Sequence, residues 1–252
     1  MPVESVTFVP NEDNTVETMF EVLDEQILPS HEKSKQPGIF IIDSLDAISD
    51  RAELNRKIDD ATFGGNKAKK LSEFFRRITA RVEQSKIHLM VISQIRDNIG
   101  VTFGSKKTRS GGKALDFYAS QILWLAEKKK HKKSVNKIER PVGIQVVANC
   151  KKNKVGLPFR TCEFPIYFGY GVDDFVAHLH FLREAGYLQE VVHITGIDKD
   201  TCPQREVDAF IRKYRSDLSS EDFNKVRKEL NKIVIKVWEK IEKSFLPKYS
   251  KY

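Results

Sequence analysis

Ile39-Phe40-Ile41-Ile42-Asp43-Ser44 is the stretch that decides the fold. Four consecutive apolar residues end in a carboxylate, with no polar alternation between them. That pattern reads as a strand buried on both faces in a parallel sheet. Further along, His88-Leu89-Met90-Val91-Ile92 repeats the pattern and ends in Ser93-Gln94. Between the two, Leu71, Phe74, Phe75, Ile78 and Val82 recur at three-and-four spacing, which predicts an amphipathic helix. Strand, helix, strand at this spacing is a βαβ unit. The expected class is therefore α/β, a mostly parallel sheet flanked by helices. Asp43 and Gln94 then emerge side by side at the C-terminal edge of one sheet, where α/β proteins bind ligands.

Outward from this unit the chain is less regular. Residues 5–9 predict a short strand, and Asn14 is placed to cap a helix with Glu17 at the capping-box position. Val16, Met19, Phe20, Leu23 and Ile27 give that helix one apolar face. Pro29 and the polar residues 30–38 read as a loop, as do most of the mixed-charge residues 50–66, which include Gly64-Gly65. Residues 121–125 and 142–147 are strand-like, and between them lies Lys128-Lys129-Lys130-His131-Lys132-Lys133. This predicts a hairpin with a charged tip, either a solvated loop or a contact for DNA. A strand region follows at 159–168, and then a helix capped by Asp173 or Asp174 and ended by Gly186. From Ser220, the positions Phe223, Val226, Leu230, Ile233, Val237, Trp238, Ile241 and Phe245 form a stripe that Pro247 stops. Such a stripe packs on its own domain or forms a coiled-coil seam.

Composition limits the function classes. A chain of 252 residues that is 40% hydrophobic can bury a substantial core. A formal charge of +8 favours an anionic partner, nucleic acid first. No apolar run is long enough to span a membrane, and Met1-Pro2-Val3-Glu4 does not open like a signal peptide. Cys150, Cys162 and Cys202 are odd in number and lack CxxC spacing, so they read as reduced thiols of a cytoplasmic protein. His178 and His180 are two apart and face different ways on a helix, which argues against a metal site there.

The polar strand ends carry the chemistry. A carboxylate at the position of Asp43 can hold Mg²⁺, usually through water. Gln94 is neutral near pH 7, and it can both donate to a phosphate oxygen and orient a water, which suits a sensor. Residues 95–112 follow directly and contain Gly100, Gly104, Gly111 and Gly112, with Arg96, Lys106, Lys107, Arg109 and Lys113 in or beside them. Glycines allow close backbone approach and the cations neutralise phosphate. Ile99, Val101 and Phe103 are apolar in this polar setting. They are suited to wedge between bases, or they fold back onto the core.

Taken in order, these motifs resemble the RecA family of DNA strand-exchange ATPases over about residues 5–190. The resemblance places Asp43, with Ser44 beside it, on the family's Walker B carboxylate and Gln94 on its γ-phosphate sensor. Residues 53–66 fall on the first DNA loop and 95–112 on the second, with Phe103 at the second loop's aromatic. Residues 111–120, including Phe117 and Tyr118, resemble the segment that couples the DNA loop to the nucleotide site across a subunit interface. Lys152-Asn153-Lys154 followed by Pro158-Phe159 is similar to the stretch whose two lysines reach a neighbouring subunit's ATP, and Gly169-Tyr170-Gly171 also fits.

The departures are specific. No GxxxxGK[ST] exists in these residues, because Lys107 stands five before Gly112-Lys113 and Ala114 follows. In the family the phosphate loop, the catalytic Glu and the polymerisation segment lie upstream of what is Met1 here. Ser93 replaces the usual Asn, the first DNA loop is poorly matched, and the tail is basic. The resemblance implies a partial RecA-like ATPase core over 1–190, from the Walker B strand onward, and a helical C-terminal region over 191–252. The implied activity is ATP-dependent filament formation on single-stranded DNA and strand exchange. ATP and Mg²⁺ would be used only with a phosphate loop supplied elsewhere, and the chain alone is expected to be inactive as an ATPase. The implied partners are single-stranded DNA and either other RecA-type subunits in a filament or an N-terminal fragment bearing the phosphate loop. No membrane is implied. Two alternatives stand: a non-catalytic DNA-binding or regulatory module that co-assembles with a full recombinase, and a RecA-fold helicase motor. Residues 111–120 argue against the motor.

Overall fold

The computed structural model describes residues 6–9, 13–57, 65–97, 107–109, 113–195 and 219–247. The chain divides between Ser120 and Gln121 into two compact units, each with its own apolar core. Among the described residues helices accompany one parallel strand pair, one antiparallel strand pair and one four-stranded antiparallel sheet, which is compatible with an α/β protein, although the described strands are mostly antiparallel and not mostly parallel as expected.

The first unit is built around β1 (Gly38–Ile42) and β2 (Ile87–Val91), paired in parallel from Gly38↔Ile87 to Ile42↔Val91. α4 (Asn66–Gln84) connects them and lays Leu71, Phe74, Phe75 and Ile78 against Ile42, Leu45 and Ile87. Here the expected βαβ unit is present. The expectation that its strands are buried on both faces is not met. Ile39 and Ile41 are 56% and 54% exposed, and Met90 and Ile92 also face outward. An unbroken apolar run looks the same whether one face or both are covered, so the sequence could not distinguish them.

The N-terminal helix differs from expectation in two ways. Thr15, not Asn14, caps α1 (Val16–Glu21): its hydroxyl accepts the Thr18 N–H at 3.1 Å, while the Asn14 carbonyl accepts from Ser49 N–H at 2.8 Å. The helix also does not stop at Pro29. A π-helical segment, Val22–Ile27, precedes α2 (Leu28–Ser34), and Leu28 N–H reaches back to the Leu23 carbonyl. Proline lacks an N–H and its ring crowds the carbonyl four residues back. The wider turn just before Pro29 accommodates that clash, and the helix runs on until Lys35 turns left-handed at φ 56°. Val16, Met19, Leu23 and Leu28 from this stretch fill the same core as α4.

Part of the expected loop 50–66 is helical. α3 (Arg51–Asn55) is capped by Asp50, whose Oδ1 accepts the Glu53 N–H at 2.8 Å. Residues 58–64 lie outside the described residues. Residues 6–9 are not in a strand, and Phe8 is exposed. Two short strands, β3 (Ile95–Asp97) and β4 (Lys107–Arg109), pair antiparallel, and α5 (Ala114–Tyr118) closes the unit.

The second unit is an antiparallel sheet in the order β5 (Gln121–Val135), β6 (Ile138–Asn153), β7 (Thr161–Tyr167) and β8 (Gly171–Val172). The hairpin is longer than the sequence suggests. It stays paired out to Val135↔Ile138 and turns at Asn136-Lys137, both at positive φ. The lysine run 128–133 therefore lies within β5 and not at the tip. β7 flanks β6 only as far as Gly143↔Tyr167, so the hairpin's end projects as a two-stranded ribbon.

Asp173 caps α6 (Asp174–Glu184) by accepting the Val176 N–H, and Gly186 at φ +78° follows its end. The short α7 (Val192–Thr195) precedes α8 (Ser220–Ser244), which Ser219 caps. Leu230 and Val237 of α8 are buried against Phe175, Leu179 and Leu182. The stripe thus packs on its own unit, the first of the two readings, while Trp238 and Phe245 fall outside it and are exposed. Arg160 clasps Glu242 with contacts of 2.7–3.0 Å and ties the approach to β7 to α8. Among the described residues no helix is long and apolar enough to cross a membrane.

Candidate functional site

The parallel register fixes what stands at the end of the first unit's strand pair. Ile42 pairs with Val91, Ile92 N–H donates to the Ile42 carbonyl at 2.9 Å, and Leu45 N–H donates to the Ile92 carbonyl at 2.9 Å. The two chains therefore leave the sheet together, one as Asp43-Ser44 and the other as Ser93-Gln94. The Asp43 side chain is exposed, Ser44 is half-buried, and Gln94 is exposed. Among the described residues the Gln94 carboxamide has no hydrogen-bond partner. An exposed, uncommitted amide at a strand end can meet an incoming oxyanion without first breaking a bond.

Asp46 organises the strand ends, and the sequence reading missed it. Its Oδ2 accepts from Ser93 Oγ at 3.1 Å and from Gln94 N–H at 2.7 Å. Nearby, Lys67 donates its ammonium to the Leu45 carbonyl at 2.9 Å. Burial holds the Lys67 amine below its ordinary range, and the Asp46 charge opposes that shift only in part. No sequence signal would have paired residues this far apart without the strand register. A second Asp three positions after Asp43 was the one available hint.

Arg96 leaves directly from this end, exposed, on β3. Part of the expected loop 95–112 is a short ribbon whose register pairs Ile95↔Arg109, Arg96↔Thr108 and Asp97↔Lys107. Lys107 and Arg109 thus occupy alternate positions of β4. Ile99, Val101, Phe103, Lys106, Gly111 and Gly112 lie outside the described residues. Lys113 is exposed and stands at the start of α5.

The two adjacent aromatics part ways. Tyr118 stacks on Phe75 with ring centroids 6.2 Å apart, and Leu115 is buried in the same core. Phe117 is 72% exposed, edge-on to Tyr118. One aromatic anchors α5 while its neighbour is presented outward.

Lys152 and Lys154 belong to the second unit. Lys152 is half-buried near the end of β6, opposite Ile122, and Lys154 is exposed in the turn that follows. Asn153 fixes that turn: its Oδ1 accepts the Val155 N–H at 3.1 Å and the Gln121 amide at 3.3 Å. Among the described residues no three His, Cys, Asp or Glu stand together as a metal site. A lone exposed Asp43 fits Mg²⁺ of the kind that keeps waters and arrives on substrate phosphates.

Comparison with known proteins gives consistent matches. Residues 11–173 match the RecA N-terminal domain. Protein RecA of a Nostoc species is 34% identical over 186 residues, covering 74% of this chain and 49% of its own length. Protein RecA of Parasynechococcus marenigrum is 32% identical over 184 residues, 73% of this chain and 46% of that protein. Protein RecA of Synechococcus elongatus is 33% identical over 178 residues, 71% of this chain and 47% of that protein. The chain spans about half the length of the curated relatives it matches.

Proposed function

The chain belongs to the RecA family, and from that premise we propose that it is part of an ATP-dependent recombination and repair protein that binds single-stranded DNA and promotes strand exchange. The observation that carries the reading is the shared strand end. Asp43 and Gln94 follow the paired ends of β1 and β2, and the basic segment beginning at Arg96 leaves from the same end. In this reading the core spans 1–190 and the helical C-terminal region 191–252.

The Gln94 carboxamide meets a γ-phosphate oxygen. A small displacement there is passed within two residues to Arg96 and the DNA-binding segment. Asp43, with Ser44 beside it, holds Mg²⁺, which when bound neutralises charge on the phosphates. Arg96, Lys106, Lys107, Arg109 and Lys113 neutralise DNA phosphates, and Gly111 and Gly112 let the backbone approach. Ile99, Val101 and Phe103 enter between bases. Tyr118 transmits movement into the core and Phe117 presents it to an adjacent RecA-type subunit, whose ATP Lys152 and Lys154 serve.

The sequence contains no phosphate loop, so backbone N–H groups that would cradle the β- and γ-phosphates must come from a partner subunit or an N-terminal fragment. Phosphate release in the presence of single-stranded DNA tests this directly. The chain alone is expected to give no turnover. Addition of a RecA fragment bearing the phosphate loop is expected to restore it, and Asp43→Ala to abolish it. Robust DNA-stimulated turnover by the purified chain alone would contradict the reading.

A further inference from the structure

Asp46 presents an imbalance that the roles above do not use. Its side chain is only 5% exposed. One oxygen is saturated by Ser93 Oγ–H and Gln94 N–H. The other, Oδ1, is buried with no hydrogen-bond partner among the described residues. A buried carboxylate oxygen without a donor is costly unless a cation stands near it. Lys67 is already committed to the Leu45 carbonyl. The remaining cation among the described residues is Arg96, whose Nη2 lies 3.6 Å from Oδ1, close enough for an ion pair and too far for a hydrogen bond. The Arg96 side chain is 63% exposed, so the same guanidinium is open to an anion from solvent.

We propose that Asp46 is a positioning residue with two tasks: it anchors the backbone of the sensor Gln94, and it holds Arg96 in competition with DNA phosphate. A phosphate offers the guanidinium two oxygens in bidentate geometry, where Asp46 offers one at long range. DNA therefore draws Arg96 away. Asp46 is left with its two donors and the field of Lys67, and its grip on Gln94 changes as its charge balance changes. Nucleotide sensor and DNA contact are thereby joined through a single carboxylate. This inference rests on the reading of 95–112 as a DNA-binding segment.

Asp46→Asn separates the two tasks, because an amide oxygen still accepts from Ser93 and Gln94 while the charge is gone. For a labelled single-stranded oligonucleotide at low salt, D46N is expected to bind about two- to five-fold more tightly than wild type, the range of a partly exposed ion pair. R96Q is expected to bind more weakly and to flatten the slope of log affinity against log salt by about 0.7. The D46N/R96Q double variant is expected to match R96Q alone. Unchanged or weaker binding by D46N, or a gain that persists in the R96Q background, overturns the competition.

The anchor is read without DNA, by amide hydrogen exchange. The Gln94 N–H is expected to exchange about ten-fold faster in D46A and within about two-fold of wild type in D46N. Equal exchange in D46A and wild type overturns the anchor. Should wild type bind no oligonucleotide at any salt, the DNA reading and the competition for phosphate both fail, while the exchange result still decides the anchor. If D46A does not fold, D46L, which fills the volume but offers no acceptor, supplies that comparison, with the Gln94 N–H expected to exchange faster than in D46N and equal exchange overturning the anchor.

Discussion

The first unit's strand pair and the second unit's packed helices solve burial differently. β1 and β2 cover one face with α4 and leave Ile39, Ile41, Met90 and Ile92 exposed on the other. The second unit buries Phe175, Leu179 and Leu182 against Leu230 and Val237 of its own α8. Parallel strands are ordinarily covered on both faces, because every crossover helix packs back on the sheet. The difference teaches that the helices of the second unit close a core among themselves, whereas the strand pair depends on a single covering helix; the second unit's sheet also leaves Leu123 and Leu125 exposed. The strand ends that carry Asp43 and Gln94 sit on the unit with the open face. The unit with the helix-on-helix core carries Lys152 and Lys154 at the end of its sheet.

The largest expected effect tests whether the second unit's core stands by itself. Phe175→Ala should cost about 3–5 kcal/mol. Both tryptophans, Trp124 and Trp238, lie in this unit, so urea unfolding followed by tryptophan fluorescence reads it selectively. Amide protection in α4 should stay unchanged, and loss of protection there would merge the two regions into one.

The two faces of β1 should respond unequally. Ile42→Ala, at a buried position, should cost about 2–5 kcal/mol. Ile41→Thr, on the open face, should stay within about 0.5 kcal/mol. Amide exchange in α4 measures both, and an equal cost would mean that the open face is covered in solution.

A smaller effect is expected at the cap of α6. Asp173→Ala should remove about 0.5–2 kcal/mol by leaving the Val176 N–H without its acceptor. Asp173→Asn should restore most of it, as read by tryptophan fluorescence.

The smallest effect is a pH dependence. Burial pushes the His178 imidazole below its ordinary value of 6.5, with Asp174 opposing and Arg227 adding to the shift. Its Nδ1 is buried and has no hydrogen-bond partner among the described residues. Below pH 6.5 the unfolded chain takes up a proton that the folded chain resists. The stabilisation is complete above that pH and is lost as pH falls through the lowered folded value. The urea midpoint of the second unit should therefore drop between pH 7.5 and pH 5.5, and His178→Gln should flatten that drop. An identical slope in the variant would assign the pH dependence to other groups.

What was legible in the sequence was what periodicity and strand length encode. The runs at 39–42 and 88–92 and the α4 stripe gave the βαβ unit, and the parallel register brings the chain to Asp43 and to Ser93-Gln94 at one end of the strand pair. Three things depended on tertiary context. Thr15 and Asn14 are neighbouring cap formers, and the bridge from Thr15 to Ser49 favours the threonine. Pro29 normally ends a helix, but the wider turn before it removes the clash. Asn136-Lys137 carries no glycine, so the long hairpin lacked its usual turn signature, and the lysine run was read as a tip. Asp46 was illegible for the deepest reason, since its meaning comes from the segment beginning at Ser93, which only the folded sheet brings to it.

Titration of a labelled single-stranded oligonucleotide at low and high salt, with wild type and with residues 96–110 deleted, tests the central claim most directly. The account predicts binding by wild type that weakens steeply with salt and is largely lost on deletion. It further predicts that Phe103→Ala loses about 1–3 kcal/mol of stacking at both salts. Binding that ignores salt, or that survives the deletion unchanged, would contradict it.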